Sequence, residues 1–412
     1  MDKIKPLIIK NFSSLFIAQI VYKVFAFFAY ALIARSLGAA GFGQFSFALS
    51  FVGLFAVCLD FGFNELLIRD AAGRIDELGN KYISNILSIK LMLSVVTYLF
   101  LALIASLISQ NAQVRNLILI LGICLALDSF TVFFRSIFRL FEKMEFEALS
   151  LVSEAILKLA VIFLVFRIFA ARPVNIGYAL LSISCATFII VLFLCKLKFL
   201  KLKFSIDYVF ATRLFKKAVP FAFLTFFGVI NFKIVIVMIS YLFTDASAGR
   251  YSAATRIIEP ILIIPVMIAT VLFPTMSRIH KSSKNAVIDL CKKSSKILFW
   301  LGILFVLGLN IFAVKLISLA FGKEYLNSVI LLRILTISLI PFFLKFLLER
   351  FLLVLGKPGA VIWGYMFGTL IMVSAGFLFI KFTGDIGAAI AMAFSEFFIV
   401  GFNLFSIRAA VV

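Results

Sequence analysis

Apolar stretches of about 20–25 residues, each nearly free of charge, alternate along the chain with short polar breaks that are mostly basic. A helix needs about 20 apolar residues to cross a bilayer, and within lipid all its backbone N–H and C=O groups must be satisfied internally. The pattern predicts twelve such helices. Six fall at residues 12–34, 43–64, 83–108, 116–138, 148–170 and 176–195; six more at 218–242, 250–273, 297–320, 328–349, 359–380 and 386–407. The basic connector 196–217 lies near the middle of the 412 residues, so an N-terminal half, 1–205, and a C-terminal half, 206–412, each hold six spans. The first apolar run is itself of span length, with no small-residue cleavage site before Arg35, and a removable leader is not expected.

Composition strengthens this reading. The chain is 64% hydrophobic with 52 Phe, more apolar surface than a water-soluble fold keeps out of solvent. The expected class is an all-α integral membrane protein. A net charge of +21 would suggest nucleic acid in a soluble protein, but here the basic residues gather in alternate connections. One set carries Lys3, Lys5, Lys10, Arg69, Arg74, Lys81, Arg139, Lys143, the connector's lysines and Arg213, Arg278, Lys281, Lys284, Lys292, Lys293, Lys296, Arg350, Lys357 and Arg408. The other holds only Arg35, Arg115, Arg167, Arg172, Arg250, Lys323 and Lys381. Positive charge stays inside, so both termini are expected in the cytoplasm, with anionic lipid headgroups rather than nucleic acid as partner. Every connection is too short for a soluble domain.

Other chemistry is thinly represented. Cys58, Cys124, Cys185, Cys195 and Cys291 are odd in number and scattered, and His280 is the only histidine. Neither a disulfide framework nor a metal site is expected, and without a Walker A motif ATP hydrolysis is not expected either. No cofactor is called for.

The halves resemble each other. Gly43-Gln44-Phe45-Ser46-Phe47-Ala48 recurs as Gly249-Arg250-Tyr251-Ser252-Ala253-Ala254. Six spans are an even number, so the repeat keeps its orientation and the pseudo-twofold axis should run along the membrane normal. Parallel repeats of this kind house transporter sites near the midplane between the halves.

Charges inside the spans are the candidate chemistry. Lys23 and Lys233 occupy matching places in spans one and seven, each costing about 2.5–3.5 kcal/mol at the bilayer centre on insertion scales. Gln19, Ala26, Tyr30 and Ala34 share a helical face with Lys23, and Ser240 and Thr244 with Lys233. Both faces are expected to line a wet cavity; a lysine that snorkels or pairs for packing is the plainer alternative. A longer first outer loop would explain why the lysines are offset by more than the glycine motif. Arg256 precedes Glu259 by three residues, either lining the cavity or forming a structural bridge. Pro260, Pro265 and Pro274 interrupt the same span and allow it to bend. Asp60, Asp128, Glu259 and Glu396 are intramembrane carboxylates that either bind a coupling proton or sodium ion or form ion pairs. Asp128 shares a face with Arg135. Glu154–Lys158 and Lys345–Glu349, both at i,i+4, are expected ion pairs, while Lys90, Lys315 and Arg333 are shallow enough to snorkel.

Several segments resemble polysaccharide flippases of the Wzx type. Ala34-Arg35-Ser36-Leu37-Gly38 through Phe42-Gly43-Gln44-Phe45 is similar to their link between spans one and two. Phe61-Gly62-Phe63-Asn64, with Leu67-Ile68-Arg69-Asp70, is similar to the end of their second span. Phe321-Gly322-Lys323-Glu324-Tyr325, Leu332-Arg333-Ile334-Leu335 and Leu355-Gly356-Lys357 resemble the segments around their tenth span. The resemblance implies membership of the multidrug/oligosaccharidyl-lipid/polysaccharide exporter superfamily, with two six-helix lobes in a V around a central cavity. It implies transfer of undecaprenyl-diphosphate-linked oligosaccharide units to the outer leaflet of a bacterial inner membrane, beside polymerase and chain-length proteins. It makes the protein a transporter rather than an enzyme. The two extra C-terminal spans of lipid II flippases are missing, which favours the O-antigen or capsule branch. On this reading Lys23, Lys233 and Arg256, with Gln19 and Tyr30, hold the diphosphate headgroup. A drug/cation antiporter of the same superfamily and a membrane polymerase or glycosyltransferase are the alternatives. A basic cavity argues against the first, and the short outer loops against the second.

Overall fold

Among the described residues the architecture is helices and the turns between them. The computed structural model describes residues 4–71, 77–108, 111–198 and 207–411; the 205/206 boundary and Lys3, Arg74, Lys201 and Lys203 lie outside them. In chain order the helices are α1 (Ile4–Leu54), α2 (Ala56–Asp60), α3 (Phe63–Ala71), α4 (Glu77–Ile108), α5 (Ala112–Leu140), α6 (Met144–Ile168) and α7 (Pro173–Lys198). They continue as α8 (Tyr208–Leu242), α9 (Asp245–Ile258), α10 (Ile263–His280), α11 (Lys284–Ala320), α12 (Ser328–Ile337), α13 (Leu339–Val354), α14 (Pro358–Thr383) and α15 (Asp385–Val411). Among the described residues, 11 helical runs are long and apolar enough to cross a membrane. The first, Ser14–Ala71, has 58 residues, about twice what a single crossing needs, so the runs accommodate the twelve expected spans. The chain is a multi-pass membrane protein.

Packing divides it into two compact units. One holds Met1–Ser36 and Ala48–Val229, the other Leu37–Phe47 and Ile230–Val412. In the first unit α5 packs along α7, and α4 on α5; in the second α14 packs along α15, and α10 and α11 on α13.

The segment Leu37–Phe47 joins the second unit through specific chemistry. The expected loop at 35–42 is instead helical except at Gly38, whose φ of 68° is the left-handed conformation that glycine tolerates. The helix restarts there with unpaired N–H groups, and the Ala39 N–H donates to Glu324 Oε1 at 2.7 Å. A longer first outer loop is therefore not the source of the lysine offset. Gly43 and Gly249, the equivalent glycines of the repeat, face each other backbone to backbone. A Cβ on Gly43 would lie 1.7 Å from the Asp245 carbonyl oxygen, and one on Gly249 2.0 Å from that of Ala39. Phe42 meets the buried Tyr325 edge to face at 6.3 Å.

The start of α8 belongs to the first unit. Leu214 and Ala218 enter a buried cluster with Phe63, Leu67, Ile86, Phe133 and Ile137, from α3, α4 and α5. Lys217 reaches Asp70 at 2.9 Å, and Lys81 reaches Asp207 at 2.7 Å. The hydrogen bond from Lys81 holds the Asp207 carboxyl below the usual carboxylate range.

Candidate functional site

In the second unit two broken helices meet one cavity. Pro260 has no N–H, and the chain between α9 and α10 passes through a tight turn at 259–262. Span ten breaks as well, at Ser338 between α12 and α13. Pro341 is the cause: it cannot donate to the carbonyl of Ile337 four residues earlier, and its ring crowds that turn. The break in span eight follows from the prolines already singled out; the break in span ten was missed, although Pro341 signals it.

The cavity is small, about 40 Å³, and is lined by Phe232, Lys233, Ile236, Tyr251, Thr255, Ile258, Glu259, Leu262, Leu335, Ser338, Phe342 and Met392. Lys233 and Glu259 thus stand in one site. Arg256 holds Glu259, with Nη1 to Oε2 at 2.8 Å, so the i,i+3 pair is real and lies at the rim of this cavity. The two hydroxyls expected to share the Lys233 face serve locally instead. Ser240 Oγ donates to Asp245, and Thr244 Oγ1 caps α9 by accepting from the Ser247 N–H at 3.1 Å.

In the first unit Lys23 is exposed on α1, with Gln19 and Tyr30 half-buried. Ala26 and Ala34, expected on the same wet face, are buried, because side chains this small let neighbouring helices close over them. Tyr22, next to Lys23, faces a charged network. Its hydroxyl donates to Glu154 Oε1 at 3.1 Å and accepts from Lys158 Nζ at 3.0 Å. Lys158 and Glu154 form the expected pair at 3.1 Å. Arg135 binds Glu154 Oε2 at 2.9 Å and Ser150 Oγ at 2.8 Å, so its ion-pair partner is Glu154.

The four candidate carboxylates have different surroundings. Asp60 accepts from Lys90 at 2.8 Å, and Lys90 is 0% exposed. Lys90 therefore does not snorkel; it is drawn inward by a carboxylate. Glu259 is bound by Arg256. Glu396 is wholly buried between Lys345 Nζ at 2.7 Å and Asn231 Nδ2 at 2.7 Å. This corrects the expected Lys345–Glu349 pair: Lys345 reaches across to α15, where rings of Phe342 and Tyr365 also face its ammonium, at 4.5 and 5.2 Å. Glu349 keeps one carboxylate oxygen buried without a hydrogen-bond partner. Among the described residues Asp128 forms no ion pair, and it lies exposed on α5 near Ser184.

Comparison with known proteins gives a consistent picture. The profile of the polysaccharide biosynthesis protein family matches residues 8–280. A capsular polysaccharide biosynthesis protein, CapF, of Staphylococcus aureus is 24% identical over 399 residues, covering 94% of this chain and 96% of the relative. Among solved structures, an inward-facing multidrug-resistance MATE transporter of the MOP superfamily superposes with a TM-score of 0.77 at 16% identity, covering 95% of this chain and 94% of the other. The lipid II flippase MurJ, in an inward closed conformation, gives 0.76 at 16% identity, with 96% and 87% covered. The all-helical fold is the one these transporters share.

Proposed function

We propose that this chain, which belongs to the polysaccharide biosynthesis protein family, is a flippase for lipid-linked sugars. Its cargo is an undecaprenyl-diphosphate-linked oligosaccharide repeat unit, carried from the cytoplasmic to the outer leaflet of a bacterial inner membrane. The product feeds O-antigen, capsule or exopolysaccharide assembly, where polymerase and chain-length proteins act next.

The observation that carries this reading is positive charge held within apolar spans. Lys233 lines a cavity at two helix breaks with Arg256 at its rim, and Lys23 is exposed in the middle of α1. Broken helices inside a membrane are tolerated where they line a cavity, and such breaks mark substrate sites in transporters. A diphosphate brings about two negative charges. A unit pair at 4 Å contributes about 4 kcal/mol at an effective dielectric of 20, so a few cations offset much of the cost of moving the headgroup out of water. The grip stays modest because Glu259 shares Arg256, which suits a carrier that must release its load. The family match and the likeness to MurJ support the same cargo class. A coupling proton or sodium ion fits Asp128 best, since Asp60, Glu259 and Glu396 already hold cations.

The test is to replace Lys23 and Lys233 singly by Ala and by Arg and score surface polysaccharide at equal protein level. The Ala variants should lose at least about tenfold, as expected when a transported charge loses a pairing of 1.4 kcal/mol or more, and the Arg variants should retain much of it. Normal polysaccharide in both Ala variants would sink the proposal.

A further inference from the structure

The two helices that meet at Gly43 and Gly249 start differently. Thr244 stands to Gly249 as Gly38 stands to Gly43, so the two positions are equivalent in the repeat. Thr244 caps α9 with its own hydroxyl, which accepts from the Ser247 N–H at 3.1 Å. Gly38 has no side chain to offer. There α1 restarts at Ala39 with an acceptor brought from far along the chain, Glu324 Oε1 at 2.7 Å. A Cβ at Gly38 would lie nearest the same carboxylate, 3.1 Å from Oε1 and 3.3 Å from Oε2. Glu324 is itself exposed, while the next residue, Tyr325, is wholly buried against Phe42 and Phe321 and anchors the turn at 323–325. A cap made within one turn holds whatever the neighbouring helices do. A cap lent by another element holds only while that element is in place.

The junction matters because the chain changes units there: residues up to Ser36 pack with the first, Leu37–Phe47 with the second. The arm of α1 before Gly38 carries Gln19, Lys23 and Tyr30. Lys23 lies about 15 residues before Gly38, about 22 Å along a helix, so a bend of about 15° there moves it by about 6 Å. Glycine is the residue at which the backbone changes direction with least steric penalty. We propose that Glu324 is a positioning residue for Lys23: latched to the Ala39 N–H it fixes the direction of that arm, and on release the arm turns about Gly38. The proposal rests on the flippase reading, in which Lys23 holds the headgroup, and adds the residue that sets when Lys23 is in place. An exposed carboxylate suits this task, because water takes over its hydrogen bonds when it lets go. The wholly buried Lys345–Glu396 pair, by contrast, could not part without stranding a charge.

The experiment uses the full chain with its five cysteines replaced and spin labels at Ile20 on the arm and Ile311 on α11, both exposed. Three quantities are read: the label-to-label distance distribution in detergent, the thermal unfolding midpoint, and surface polysaccharide at equal protein level. Glu324→Ala should raise the population of the turned arm about tenfold, as expected when one charge-assisted hydrogen bond is lost, and lower surface polysaccharide several-fold. Glu324→Gln, whose amide oxygen still accepts, should stay near wild type in both. The double variant Glu324→Ala/Gly38→Asn separates a latch from a mere cap. Asn tolerates the left-handed conformation and can cap its own helix, in the room that the carboxylate vacates. The double variant should regain the unfolding midpoint yet keep the turned arm and the low polysaccharide. Unchanged distances in Glu324→Ala, or recovery of distances and polysaccharide along with stability in the double variant, would reduce Glu324 to a helix cap and overturn the proposal. The two readings fail separately. A fixed arm in Glu324→Ala, with polysaccharide lost in Lys23→Ala, removes the latch and leaves the flippase reading standing. A turned arm in Glu324→Ala, with normal polysaccharide in Lys23→Ala, supports the latch and removes the role of Lys23 as headgroup holder.

Discussion

At the residue scale, the informative features are ionisable side chains that water does not reach. Lys345 and Glu396 are both 0% exposed and meet at 2.7 Å. Such a pair gains little over an apolar substitute, because desolvating two charges cancels most of their attraction, but breaking it strands one charge in the interior. Lys345→Met or Glu396→Gln alone should therefore destabilise the protein by about 3–5 kcal/mol, while the double variant Lys345→Met/Glu396→Met should lie much closer to wild type. Thermal unfolding of the detergent-solubilised variants measures this, and additive losses in the double variant would show that the pair is not coupled. The existence of these charges was legible in the chain; their partners were only partly so. Spacing of i,i+4 correctly paired Glu154 with Lys158 but also suggested Lys345 with Glu349. The structure pairs Lys345 instead with Glu396, 51 positions away. Sequence spacing reports neighbours on one helix, whereas a deeply buried lysine chooses among all the helices around it. Lys90 makes the same point, held by Asp60 rather than reaching for the membrane surface.

At the scale of the element, apolar length and proline placement carried most of the information. Runs of span length became helices, and Pro260 ended one where its missing N–H requires. Pro341 broke span ten by the same physics. What hydropathy could not convey is how closely two helices approach. Gly43 and Gly249 stand out in the repeat as a shared motif, and in the structure they are a single contact: a Cβ at 43 would sit 1.7 Å from a backbone oxygen of α9. Backbone cannot yield as a side-chain tip can, so Gly43→Ala and Gly249→Ala should each force the helices apart and cost about 1–3 kcal/mol or more. Gly359, early in α14 with open space where its Cβ would go, is the control, and Ala there should be neutral or slightly stabilising. Unfolding midpoints of the three variants test this, and a Gly43→Ala protein as stable as Gly359→Ala would disprove the close approach. The Gly38 kink and the carboxylate of Glu324 at the Ala39 N–H act on the same segment. Residues 35–42, polar enough to suggest a loop, stay helical because that segment is packed and capped rather than solvated.

At the scale of the whole molecule, covalent order and packing divide the chain differently. Hydropathy and the basic connector separate two runs of six spans, while contacts place Leu37–Phe47 with the second unit and residues up to Val229 with the first. The exchange depends on glycines, caps and ion pairs that come together only on folding, and so lay outside what periodicity could convey. Orientation, by contrast, is predicted from the chain's charges alone, because basic residues resist passage across the membrane. Lys281 lies in the link from α10 to α11 and Lys284, Lys292 and Lys293 in the first turns of α11, whereas the link from α11 to α12 carries Lys323 beside Glu324. In a background with the five native cysteines replaced, a single cysteine at Ser282 should react with a membrane-impermeant maleimide only after the inner membrane is permeabilised. One at Leu326, 42% exposed, should react in intact spheroplasts. The opposite pattern would invert the topology, place the termini outside, and reverse the direction in which Lys23 and Lys233 would pass an anionic headgroup.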